Sequence, residues 1–159
     1  MALFWNQRRV RRTSSGDYTV HLEPQERDLL RSLPGQLRDL LATDDPALER
    51  LYPPAYVDDD ERNDEYRRLM RGDLTARRLT SLDVMESTID AERLSEDELV
   101  AWLGALNDLR LVLGTRLDVS EDDYGRELDE DDPRAPAFAL YGYLGFLEES
   151  VVEALASAL

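Results

Sequence analysis

Apolar positions recur along this chain in two periods, and the change of period divides it. Over the first twenty or so residues the period is two: Tyr18, Val20 and Leu22 alternate with Thr19 and His21, the pattern of a half-buried strand. Ser14-Ser15-Gly16-Asp17 supplies a turn in which glycine takes positive φ freely. The segment before it carries Phe4, Trp5 and Val10 among Arg8, Arg9, Arg11 and Arg12. The expected element is an N-terminal β-hairpin (about 3–22). A lone hairpin is marginal in water, so this one must dock on something larger.

From Pro24 onward the spacing becomes three and four. Leu29, Leu30, Leu33, Leu37, Leu40 and Leu41 form one stripe; Pro34-Gly35 interrupts it without shifting its phase, which fits one kinked helix or two abutting ones. Asp44-Asp45-Pro46 starts a short helical piece, and Pro53-Pro54 between Tyr52 and Tyr56 predicts an extended connector clamped by the two tyrosines. The acidic run Asp58 to Glu61 suits a helix N-terminus. That helix would carry Tyr66, Leu69 and Met70, with Gly72-Asp73 separating it from another bearing Leu74, Leu82, Met85 and Ile89.

Ser95-Glu96-Asp97-Glu98 is a capping-box pattern and opens the strongest helix, to about Leu117. Leu99, Val100, Trp102, Leu103, Leu106, Leu109, Leu111, Val112, Leu113 and Leu117 leave it little polar face, which predicts a central, buried helix. Asp118 to Arg134 carries nine acids and two arginines and reads as an exposed loop. A last helix follows to about Ala156, with Phe138, Tyr141, Leu144, Leu147, Val151 and Leu155 as its stripe. The fold class expected is mainly α: a bundle of five or six helices around the central helix (about 96–117). In this reading 1–159 is a single domain, its hairpin (1–22) packed on a helical bundle (24–157).

Composition narrows the classes. At 159 residues and 42% hydrophobic content one core is the default, and no staple is required. There is no cysteine, which excludes a disulfide framework, a thiol nucleophile and thiol redox sensing. The N-terminus lacks the pattern of a secretory signal, and the longest uncharged stretch, Ala135 to Leu147, is 13 residues, too short to span a bilayer. A cytoplasmic protein without membrane contact is expected. Nineteen basic residues, all arginine, face 35 acids for a net charge of −16, and the excess lies beyond residue 56. Such a field repels phosphate backbones, so direct nucleic-acid binding is disfavoured and a protein partner is preferred.

Candidate chemistry is sparse. His21 is the only histidine and has no serine-histidine-acid setting. An EF-hand register from Asp118 fails at its sixth position, Asp123 for glycine, and at its twelfth, Asp129 for glutamate. Glycines are scattered, so no phosphate-cradling loop forms. Neither a metal nor a cofactor is expected. The one basic concentration, Arg8, Arg9, Arg11 and Arg12, could pair with acids of its own domain or with an acidic partner. Inside the central helix, Arg110 continues the series Leu103, Leu106, Leu113 and Leu117; Asn107 continues Val100, Leu103 and Leu111; Asp108 lies four residues after Gly104. Buried unpaired, these groups would cost several kcal/mol, so each needs a partner. Either they form a network that fixes helix packing, or they floor a partner- or ligand-binding groove. Arg116, at the helix end, joins them as a partner-binding candidate.

Three runs carry a resemblance: Leu51-Tyr52-Pro53-Pro54-Ala55-Tyr56, the stretch Trp102 to Leu117, and Tyr141-Gly142-Tyr143-Leu144. The chain resembles, over nearly its whole length, an actinobacterial family of short acidic proteins long catalogued as a domain of unknown function. Some members of that family are labelled oxidative-stress transcriptional regulators. The resemblance implies a regulator linked to transcription and transfers no catalytic residue. The expected function is therefore a non-enzymatic regulatory or adaptor protein working through contacts with a protein of the transcription machinery. The competing class is a small enzyme, or enzyme subunit, with a polar site around Asn107, Asp108 and Arg110. A third arrangement is a homodimer with the last helix as its seam.

Overall fold

The computed structural model describes residues 8–52, 60–118 and 130–159, apart from the side chains of 60–63 and 67. Strands β1 (Val10–Arg12) and β2 (Tyr18–Val20) pair antiparallel, Val10 opposite Val20 and Arg12 opposite Tyr18. Gly16, at φ 93°, makes the turn between them. This is the expected hairpin; Phe4 and Trp5 lie outside the described residues. A third strand, β3 (Arg93–Leu94), was not anticipated and pairs with the other edge of β2, Leu94 opposite Tyr18. Two residues are too few to show a period. Val10, Tyr18, Val20 and Leu94 are buried together on the inner face.

The leucine stripe after Pro24 resolves into two abutting helices, α1 (Pro24–Arg31) and α2 (Leu33–Leu41), meeting at Ser32. Pro34 sits in the first turn of α2, where its missing N–H has no partner to lose. A 3₁₀ helix (Pro46–Leu51) follows, capped by the Asp45 carboxylate, which accepts from Ala47 N at 2.8 Å. The two helices expected on either side of Gly72-Asp73 are one: α3 (Asp60–Ser87) runs straight through. A lone glycine costs only about 1 kcal/mol in a helix. Helix α3 spans 28 residues, long enough to absorb that penalty.

Helix α4 (Glu96–Arg116) opens with the expected capping box, Glu98 N donating to Ser95 Oγ at 3.1 Å and Ser95 N to Glu98 Oε1 at 2.9 Å. Helix α5 is Ala135–Ala156. Helices α3 and α5, the 3₁₀ helix, α2 and β3 all pack on α4, and Leu99, Trp102, Ala105 and Leu106 have no exposed surface. The Trp102 indole is satisfied by Thr88 Oγ1 at 2.7 Å. The cover is incomplete on one side, where Val100 is half exposed and Asn107 faces solvent. The expectation that Asn107 lies among buried neighbours is corrected accordingly, since its series Val100, Leu103, Leu111 is the helix's one wet strip.

The small sheet is fastened to the bundle by charge as much as by apolar contact. Arg9, turned away from the hairpin's solvent face, is buried with Glu26 of α1, Nε to Oε1 at 3.0 Å. The same Oε1 accepts from the Tyr143 hydroxyl of α5 at 2.9 Å, and Oε2 accepts from Glu23 N at 2.7 Å. Ser150 Oγ accepts from the Arg9 and Val10 amides, each at 3.3 Å. Burial, and then the Glu26 charge, hold the Tyr143 phenol well above its ordinary range. Three elements distant in sequence thus meet at one carboxylate. Glu26→Ala should cost about 3–5 kcal/mol in urea unfolding, because it removes the buried carboxylate that both Arg9 and Tyr143 address. The double replacement Arg9→Met with Glu26→Leu should cost less than that single change. A single change as mild as a surface substitution would contradict this reading of the network.

Candidate functional site

The three polar residues of α4 singled out above diverge instead of converging. Asp108, 7% exposed, points to α3, where Arg78 Nε lies 3.4 Å from its Oδ2. That contact is an ion pair without a hydrogen bond from Arg78 Nε. Burial pushes the Asp108 carboxyl up to about 6, and the Arg78 charge opposes the push only in part. Arg78 also donates to Leu51 O at 3.0 Å and stacks on the Tyr52 ring, 5.1 Å from its centroid. Arg71 covers the same ring at 4.6 Å, and the Tyr52 hydroxyl meets Thr75 Oγ1 at 2.6 Å. Tyr52 is thus held against α3; the Pro53-Pro54 connector it was expected to clamp, and Tyr56, lie outside the described residues. Asp108 therefore anchors, through Arg78, the end of the 3₁₀ helix.

Arg110 points the other way, to α5. Its Nη1 lies 3.7 Å from Glu148 Oε2, and its guanidinium stacks on Tyr141, 5.0 Å from the centroid. Glu148 is held above the usual carboxylate range by burial, against the pull of Arg110. Close approach depends on two glycines. A Cβ at Gly145 would stand 3.3 Å from Arg110 Nε, and one at Gly114 would stand 3.1 Å from the Tyr141 ring. Arg116 is exposed, with Asp45 Oδ2 at 3.9 Å, too far for a strong pair.

The N-terminal arginines also separate. Arg9 is the buried residue of the network above. Arg8 reaches Glu153 at 3.5 Å across exposed surface. Arg11 and Arg12 are exposed. Arg11 lies in register with Thr19 and Arg93, which form a row on the outer face of the sheet. His21 is exposed, as its alternation implied. Much of the acidic loop, with most of the tested calcium register, lies outside the described residues. Among the described residues no group of three or more His, Cys, Asp or Glu side chains could hold a metal ion.

Among the described residues two cavities stand near these positions, and neither is lined by Asn107, Asp108 or Arg110. The smaller, about 110 Å³, is an apolar slot between α2, α4 and α5, with Arg116 on its rim. The larger, about 520 Å³, lies between the 3₁₀ helix and the first half of α3. Leu48, Tyr52, Met70 and Leu74 supply its apolar surface, and Asp44, Asp45 and Glu49 stand along one side. Its size is that of a ligand or side-chain docking cleft.

Comparison with known proteins agrees with the family resemblance. The model of a domain of unknown function, DUF2017, matches residues 7–155. The chain belongs to the DUF2017 family. Similar proteins of this DUF2017 chain include two described as "Oxidative stress regulator AosR", from Mycobacterium bovis and from Mycobacterium tuberculosis strain H37Rv. Each is 32% identical over 126 residues, covering 68% of this chain and 57% of the relative. The match thus spans little more than half the length of those relatives. No solved structure matches.

Several residues that organise this DUF2017 structure escaped the reading of the sequence. Arg78 lies on the stripe Leu74, Leu82, Met85; Glu26 on Leu30, Leu33, Leu37; Ser150 on Tyr143, Leu147, Ala154. A polar residue at an apolar spacing is the same signal that picked out Arg110, and it was available at all three. The raised Asp108 pKa also has a readable consequence. An acid whose folded pKa of about 6 exceeds its ordinary 3.8 contributes its stability fully below 3.8 and loses it as pH rises through 6. At neutral pH the ionised form costs on the order of 3 kcal/mol. Wild type should therefore gain stability relative to Asp108→Asn as pH falls from about 7 to about 5. Urea unfolding across that window measures it; parallel curves would contradict the buried-carboxylate account.

Proposed function

We propose that this DUF2017 protein is a regulator that works in the cytoplasm through contacts with another protein, in transcription under oxidative stress, and that it performs no catalysis of its own. One structural observation supports the reading most. Two ionisable groups inside the central helix are spent pairwise on holding neighbouring helices, Asp108 with Arg78 and Arg110 with Glu148, and do not converge on a cavity. The relatives named as oxidative stress regulators favour the same direction. With a charge of −16 the chain suits a basic protein surface far better than a nucleic acid.

Without cysteine, the oxidisable sulfur of this chain is that of methionine. Met85 is fully buried, whereas Met70 is partly exposed and lines the larger cavity. Brief treatment of the folded protein with hydrogen peroxide should convert Met70 to the sulfoxide well before Met85, as read by peptide mass spectrometry. Equal rates would mean that the core around Met85 opens as readily as the groove. The regulatory reading itself is tested in cells. Disrupting the gene should alter the transcript response to peroxide, and wild-type protein supplied in trans should restore it. A transcript profile unchanged by the disruption would contradict it.

A further inference from the structure

We propose that the cleft between the 3₁₀ helix and α3 is the docking site for a cationic, amphipathic segment of a partner protein. This rests on the reading that the chain acts through protein contacts, and it names where and with what chemistry.

The cleft combines three properties. Its floor is apolar and aromatic: Leu48, Tyr52 and Leu74, with Met70 on the α3 wall. Met side chains adapt to irregular apolar partners, which suits a site that receives a side chain and not a rigid cofactor. The floor is also preorganised. Tyr52 is held between Arg71 and Arg78 and by the Thr75 hydroxyl, so little order remains to be imposed when a partner arrives. Finally, the wall facing α3 is anionic. Asp44 is fully exposed at its side chain and meets Arg71 only at 3.5 Å; Asp45 caps the 3₁₀ helix with Oδ1; Glu49 is exposed. Among the described residues Arg71 is the one cation lining the cleft against these three carboxylates, and its guanidinium is already engaged, donating to Thr43 O at 3.2 Å and stacking on Tyr52. The surface left to a visitor is therefore an apolar trough with a negative lip. Along α3 the lining continues to Tyr66, 37% exposed. A helix or extended segment with one apolar anchor and flanking Arg or Lys satisfies both halves at once. An acidic or phosphorylated segment would meet the lip as a like charge.

The probe is a displayed library of random linear peptides, selected against the purified full chain at physiological salt. Peptides with a leucine or aromatic anchor flanked by Arg or Lys should be enriched. A synthetic copy of one of these should lose affinity about tenfold against Glu49→Arg and against Met70→Ala. The control Glu149→Arg makes the same change of net charge on the exposed face of α5 and should leave the affinity within about twofold. Circular dichroism and urea midpoints establish that all three variants are folded. No enrichment, enrichment of acidic peptides, or binding that ignores the cleft substitutions would each overturn the proposal. So would equal weakening by Glu149→Arg, which would mark a diffuse charge effect. The transcript response is independent of this assay, so either reading can fail without the other.

Discussion

Helix α4 has only a narrow solvent strip, and most other elements are placed by the need to cover the rest of it. Its 21 residues carry Leu99, Trp102, Ala105, Leu106, Leu109 and Val112 into the core from successive turns. No single neighbour can bury such a surface, so α3, α5, the 3₁₀ helix and α2 share it. Once the helix is enclosed, each charge on it needs an answer from the neighbour it faces. Arg78 on α3 answers Asp108, and Glu148 on α5 answers Arg110. The answers lie on opposite sides. A helix built to be surrounded thereby distributes its charges, and that distribution removes the convergent site which its sequence suggests.

The N-terminal sheet is held differently. Its short strands bury Val10, Tyr18 and Val20, and the Arg9–Glu26 pair adds a polar anchor to which Tyr143 and Ser150 contribute hydrogen bonds. A buried pair of this kind adds little net stability over an apolar replacement, and penalises strongly any arrangement that separates its members. Its consequence is positional. The hairpin must sit against both α1 and α5, which leaves Arg11 and Arg12 facing outward while Arg9, in the same basic run, is internal.

Much of the fold was legible because it depends on local signals. The capping box at Ser95, the apolar density from Leu99 to Leu113, and the alternation at Tyr18, Val20 and Leu22 each name an element without reference to the rest of the chain. Residues whose role depends on a distant partner were harder. Gly72 looked like a boundary, yet α3 carries it through. Asn107 and Val100 looked buried because a nearly all-apolar helix gives no phase to its single wet strip. The cleft was not legible at all. Its walls come from residues 44–52 and 66–74, and nothing in either stretch announces that the other faces it. Arg78 and Glu26 stand between these extremes, visible as polar members of apolar stripes but with partners only the structure assigns.

The charges of α4 serve packing, with Asp108 committed to Arg78. A double-mutant cycle on that pair tests this. Unfolding of wild type, Arg78→Met, Asp108→Asn and the double variant in urea at about pH 8, where Asp108 is ionised, should give a coupling energy of about 1–3 kcal/mol. The coupling should shrink below about pH 6, as the carboxyl takes up its proton. Additive effects at both pH values would show that the two residues do not depend on each other. Asp108 would then be free for another role, and the claim that the charges of α4 serve packing would fail.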